Sequence, residues 1–210
     1  MRTSLFYSIG LLLLLVFSNS HATTPDNTAE EIVKDTADKV IARLTAERAE
    51  LEVRPEKLYS LINEIIIPHF DFVSMSKWVL GKNWKSATEA QQTRFVEQFR
   101  TLLVRTYAKA LLEFSDQEIN YLPVINNPDS NIVVVKTEVQ QPGAKSVPIN
   151  YSLHISGGSW KVVDVSVDGI SLVATYRGSF ASEIRKGGFD ALIAKLAERN
   201  STATDMTASQ

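Results

Sequence analysis

VVDVSVDGISLVATYRGSF, residues Val162–Phe180, changes its period half way along. Val163, Val165 and Val167 alternate with Asp164, Ser166 and Asp168, the pattern of a strand with one dry face and one wet face. After Gly169 the apolar residues Leu172, Tyr176 and Phe180 recur every four positions, which is a helical stripe. A dry strand face therefore runs straight into a dry helix face, with no nucleophile, base or metal ligand between them. That surface either closes into a core or lines a space.

Upstream, the period of two persists. Ile149, Tyr151, Leu153 and Ile155 alternate with Asn150, Ser152, His154 and Ser156, and Gly157-Gly158 reads as a two-residue hairpin turn into Trp160–Val167. Ile119–Val124 and Ile132–Val139 are two more strands, with Pro142-Gly143 as a turn. Before them the period is helical. Thr28 with Glu31 is a capping box for a helix whose stripe is Ile32, Val33, Ala37, Val40, Ile41 and Leu44. Pro55 opens a second helix, carrying Leu58, Leu61, Ile62, Ile65 and Ile66 and ended by Pro68. Asp71 caps a third, with Phe72, Met75 and Val79, stopped by Gly81; Thr88 with Gln91 caps the longest, with Phe95, Phe99, Leu102, Leu103 and Tyr107. Two helices, at about 171–186 and 189–199 and split by Gly187-Gly188, close a single domain spanning 23–199, and 200–210 is expected to be a disordered polar tail. Helices, then hairpin strands, then helices predict an α+β fold: a bent antiparallel sheet of about four strands with one face covered by several helices.

The first 22 residues read as a cleavable leader: Arg2, the apolar run Leu11–Phe17, then Ser20-His21-Ala22. Without it 188 residues remain, with 21 basic against 24 acidic side chains, a net charge of −3. That balance argues against nucleic acid as the main partner. The absence of cysteine excludes a disulfide scaffold and a thiol nucleophile. An exported, disulfide-free chain points to a bacterial periplasm.

Little in the sequence carries chemistry. His154 is expected on the polar sheet face, and His69 beside Asp71 reads as a surface histidine next to a capping aspartate. Asp164 and Asp168 share a strand face but lie roughly 13 Å apart, too far to act on one bond. No catalytic residue, metal ligand or cofactor is expected. One stretch is basic: Lys77, Lys82, Lys85, Arg94, Arg100, Arg105 and Lys109 against Glu89 and Glu97, a local charge of +5. It is either a solvated helix face or a docking patch for an acidic partner or lipid headgroups, with Lys82, Lys85 and Arg94 at its rim.

Two blocks carry a resemblance. DFVSMSKWVLGKNWKSATEAQQTRFVEQFRTLLVRTYAKAL, Asp71–Leu111, and INYSLHISGGSWKVVDVSVDGISLVATYRGSF, Ile149–Phe180, resemble the MlaC family, also called toluene-tolerance or Ttg2-type auxiliary proteins. Lys77 and Glu89-Ala90 depart from the usual pattern at surface positions. The resemblance implies an NTF2-like fold enclosing an acyl-chain cavity. It also implies a monomeric periplasmic phospholipid carrier between the MCE-domain ring of an inner-membrane ABC transporter (MlaFEDB) and an outer-membrane MlaA–porin complex, maintaining outer-membrane lipid asymmetry. On that implication the candidate lipid-facing residues are Phe72, Met75, Val79, Phe95, Phe99, Leu102, Leu103, Tyr107, Tyr151, Val163, Val165, Val167, Leu172 and Tyr176. The alternatives are an isomerase-like enzyme using a carboxylate in an apolar pocket, and a solid-cored protein that only bridges partners.

Overall fold

The computed structural model describes residues 27–114, 117–126, 130–140, 143 and 145–208. The leader expected at 1–22 and the Pro142 half of the expected turn lie outside the described residues.

Helix α1 (Ala29–Val53) starts where its capping box puts it: Glu31 N–H donates to Thr28 Oγ1 at 3.2 Å, and Thr28 N–H donates to Glu31 Oε2 at 2.7 Å. Helix α2 (Pro55–Leu61) begins on its proline. It does not run on to Pro68 as an α-helix. The chain widens to a π turn over Ile62–Ile66 and tightens to a 3₁₀ turn over Ile67–His69. Asp71 caps α3 (Phe72–Leu80), accepting from Ser74 N–H at 2.9 Å, and Gly81 ends it with φ +55°. A 3₁₀ stretch (Gly81–Ser86) then leads to the Thr88–Gln91 capping box of α4 (Glu89–Leu112).

The strands are β1 (Ile119–Asn126), β2 (Val133–Val139), β3 (Val147–Ser156), β4 (Ser159–Val167) and a two-residue β5 (Ile170–Ser171), antiparallel in chain order. Gly157 and Gly158, at φ +60° and +78°, make the tight β3–β4 turn, which needs positive φ at both positions. β5 was not among the expected strands; it is too short to show a period. Two bulges interrupt the ladders. In β1, two residues, Pro123 and Val124, oppose the single residue Val135; Pro123 cannot donate to a ladder and is tolerated on an edge strand. In β4, Asp164 pairs Ser152 and Val162 pairs Leu153, so Val163 is the extra residue.

Helix α5 (Leu172–Ala208) is two arms joined at Gly188, whose φ +78° and ψ −176° lie in a region open essentially to glycine alone. The second arm continues to Ala208. The polar end expected as a disordered tail from residue 200 is therefore helical over 200–208.

The core is divided. One cluster packs α3, α4 and α5 around Phe95, Phe99, Tyr176 and Phe180. A second packs α1, α2 and α4 around Leu44, Leu51, Leu58 and Leu61. The third sets Ala29 and Val33 of α1 on the sheet residues Val135, Leu153, Val162 and Val165.

Candidate functional site

These clusters surround a cavity of about 460 Å³. Its roof is the apolar stripe of α1, with Val33, Val40 and Leu44 buried; its floor is the sheet, with Tyr151, Val162 and Val165. Ile62 and Ile66 of the π turn and the C-terminal half of α4 form the sides. One end is open: Ala110, Glu113 and Val167 line the cavity and are exposed. Arg48 of α1 holds that rim. Its guanidinium donates to the Leu112 carbonyl at 2.7 Å, an oxygen that α4 leaves without an intrahelical partner, and to the Phe114 carbonyl just beyond the helix.

Eight of the sequence-predicted lipid-facing residues stand on this wall: Phe72, Met75, Leu103 and Tyr107 from α3 and α4, and Tyr151, Val165, Val167 and Leu172 from the sheet and its exit. Six do not. Val79, Phe95, Phe99, Leu102 and Tyr176 fill the α3–α4–α5 cluster, where the rings of Phe99, Tyr176 and Phe180 stack or meet edge-on at 5.3–5.8 Å. Val163 is fully buried away from the cavity, because the bulge breaks the alternation and leaves Val162 as the wall residue beside Val165. The sequence reading missed α1 and the π turn as walls. A signal was present: Thr36 puts a hydroxyl inside the apolar stripe Ile32–Leu44.

The polar atoms of the wall are few. Burial pushes the Tyr151 phenol up to about 12, and Thr137 hydrogen-bonds it from the same sheet. Tyr151 is enclosed by protein yet keeps accessible surface, which is surface that faces the cavity. The Tyr107 phenol is also pushed up to about 12, by burial and then by its hydrogen bond to Tyr176. Burial lowers the His69 imidazole, and Lys161 and Lys39 push it the same way. The Thr36 hydroxyl oxygen is sealed from solvent without a hydrogen-bond partner among the described residues, a state that costs about 1–3 kcal/mol.

The carboxylates are used elsewhere. Asp71 takes its second partner from the sheet rather than from His69: His154 Nε2 stands 3.0 Å from Asp71 Oδ2, so His154 is not on a solvated face as expected. Burial alone would raise the Asp71 carboxyl, but the Ser74 donors and His154 outweigh it and hold it below its usual range. Asp164 is not a solubility residue either; it accepts from Val173 N–H and Ser171 Oγ at the start of α5. Of the basic stretch, Arg94 pairs Asp190 at 2.6 Å and Arg100 donates to Asn63 at 2.5 Å. Lys82 and Lys85 are exposed on the 3₁₀ stretch, with no hydrogen bond or ion pair to the described residues.

Three comparisons bear on this arrangement. The MlaC protein family profile matches residues 34–198. The toluene tolerance protein ttg2D of Pseudomonas putida is 30% identical over 182 residues, covering 86% of this chain and 84% of its own. The intermembrane phospholipid transport system binding protein MlaC of Haemophilus influenzae is 23% identical over 194 residues, 91% of each chain. Among solved structures, a phospholipid-binding protein from Ralstonia solanacearum in complex with a phospholipid superposes with a TM-score of 0.77 at 32% identity, covering 85% of this chain and 99% of that one.

Proposed function

The chain belongs to the MlaC family, and from that premise we propose that it carries a phospholipid, acyl chains in the cavity and headgroup toward water. The observation that carries this is the cavity itself, a space of about 460 Å³ walled by aliphatic and aromatic side chains drawn from all three apolar clusters. The phospholipid-bound Ralstonia relative supports it. A two-chain lipid has about 28 chain methylenes, each worth roughly 0.8 kcal/mol when hidden from water, so enclosure is worth on the order of 20 kcal/mol. A bilayer hides them equally well. A carrier therefore needs a wall close to a bilayer interior in character, so that loading and unloading both stay near balance.

The finer reading is a periplasmic shuttle between the MCE ring of an inner-membrane MlaFEDB transporter and an outer-membrane MlaA–porin complex, reached after removal of the leader. In this reading the protein binds without doing chemistry. The positions of Asp71 and Asp164 support that: each is committed to a helix start, and neither lines the cavity. Native mass spectrometry of gently purified protein should show one phospholipid mass on the folded chain, lost on denaturation. Bare protein from repeated gentle preparations would overturn the carrier reading.

A further inference from the structure

Helix α3 has an inner and an outer side. Phe72 and Met75 line the cavity, and Met75, Ser76, Val79 and Leu80 are buried. The outer side carries Val73 and Lys77, one turn apart, with Trp78 beside them, and all three are exposed. Val73 leaves 45% of its surface open and Trp78 37%, so an aliphatic side chain and an indole both face solvent on one helix of nine residues. Trp78 is firmly placed. Arg177 of α5 donates from Nε to the Trp78 carbonyl at 3.1 Å, which fixes a guanidinium beside that residue.

The charge around Trp78 has one sign. From Phe72 to Ala87 the chain carries Lys77, Lys82 and Lys85 and no acid. From Leu172 to Ser182, in the arm of α5 that Arg177 ties to α3, it carries Arg177 and no acid. Acids that border these runs are committed: Asp71 to Ser74 and His154, Asp164 to Ser171 and Val173, and Glu183 to Lys195 at 2.9 Å. Two more stand at the margins, Asp168 in the β4–β5 turn and Glu89 in the first turn of α4, where the helix dipole offsets it. A chain that is acidic beyond its leader thus gathers four cations beside two exposed apolar side chains.

We propose that this face docks on an anionic lipid bilayer, Trp78 and Val73 entering the headgroup layer while Lys77, Lys82, Lys85 and Arg177 meet lipid phosphates. Charge complementarity makes the occupant anionic, and residue type selects a bilayer over an acidic protein. Lysine is depleted where proteins bury one another, yet three of the four cations are lysines. Lysine together with tryptophan is the composition of surfaces that rest on headgroups. No described helix is long and apolar enough to cross a membrane, so the contact is peripheral and reversible. The proposal goes beyond the carrier reading: it concerns an outer face and not the cavity, and either can fail alone.

Cosedimentation with sucrose-loaded vesicles tests it. Wild type should sediment at low salt with vesicles of phosphatidylcholine and phosphatidylglycerol, and should stay in solution with phosphatidylcholine alone. High salt should release it, because the attraction is screened. Each cation at such a surface is worth roughly fivefold in affinity, so Lys77→Glu should weaken binding by about tenfold or more. Lys82→Glu replaces it if Lys77→Glu does not melt cooperatively. A spin label on the lipid headgroup should quench wild-type tryptophan fluorescence on the anionic vesicles. Trp78→Phe should lose most of that quenching although Trp84 and Trp160 remain. Wild type that ignores anionic vesicles at low salt overturns the proposal, as does vesicle binding that Lys77→Glu and Trp78→Phe leave intact. If the variants bind vesicles normally but associate more slowly with the isolated MCE ring, the face docks a protein and the bilayer assignment falls. The lipid carried by each variant, read by native mass spectrometry, tests the carrier reading separately.

Discussion

Val165 and Phe99 carry similar apolar side chains in the sequence and stand in different surroundings. Val165 faces the cavity; Phe99 is fully buried among Phe95, Tyr176 and Phe180. A carboxylate at Val165 reaches water whenever the cavity is empty, so Val165→Asp should still melt cooperatively while losing lipid uptake. A carboxylate at Phe99 has no such outlet and costs several kcal/mol; even Phe99→Ala should cost about 3–5 kcal/mol. Calorimetry with lipid extraction checks the pair, and global unfolding of both variants would mean that the wall is ordinary core. Asp71 gives a second test. Its carboxyl is held below the usual range, so its contribution is complete above the unfolded value, near 4, and is lost as pH falls through the lower folded value. Asp71→Ala should therefore cost about 1–2 kcal/mol at pH 7 for the lost cap, and the gap to wild type should close below about pH 4 in denaturant titrations. The capping role was legible in the sequence. The choice of His154 over His69 was not, because it depends on where a strand 83 positions away comes to rest.

Elements were more legible than walls. Capping boxes at Thr28 and Thr88, the proline opening α2 and the paired glycines of the β3–β4 turn are local devices, and local sequence states them. The α3–α4–α5 stripe and the cavity stripe look alike because both are apolar at the same period; only packing decides which is filled. The bulge at Val163 is equally silent, since one extra residue leaves a run of valines looking regular. The bend in α5 makes a prediction at this scale. Gly188→Ala forces a side chain into a glycine-only conformation and should cost about 1–3 kcal/mol. Gly178, in the first arm, has open space where a Cβ would go and no positive φ, so Gly178→Ala should be neutral or stabilising by up to about 1 kcal/mol. Thermal melts of the two variants should move in opposite directions or, at least, by clearly different amounts; equal losses would show that the bend is not set by Gly188.

At the scale of the whole molecule, the proposed shuttle requires a docking surface. Arg94 is bound to Asp190 across α4 and α5 and is better left alone; Lys82 and Lys85 remain as the exposed cations of the expected docking rim. If they steer an acidic partner, their field is screened over roughly 8 Å at physiological salt. Lys82→Glu/Lys85→Glu should then slow association with the isolated MCE ring or the MlaA complex about tenfold at low salt, with little change in dissociation and unchanged lipid content. Surface plasmon resonance at two salt concentrations measures this, and equal association rates at low salt would return both lysines to a solvated face. The meander has its own consequence for assembly. Each strand pairs with its neighbours in the chain, so the sheet zips up from hairpins, whereas the helical walls and the sheet floor come from opposite halves and are stitched late, as between Lys161 of β4 and Pro68 of the 3₁₀ turn, 93 positions apart. Loop-closure entropy delays such distant contacts. A newly made chain thus shows two greasy half-shells to its surroundings before they clasp, and that interval, rather than the finished fold, is when it most needs a chaperone.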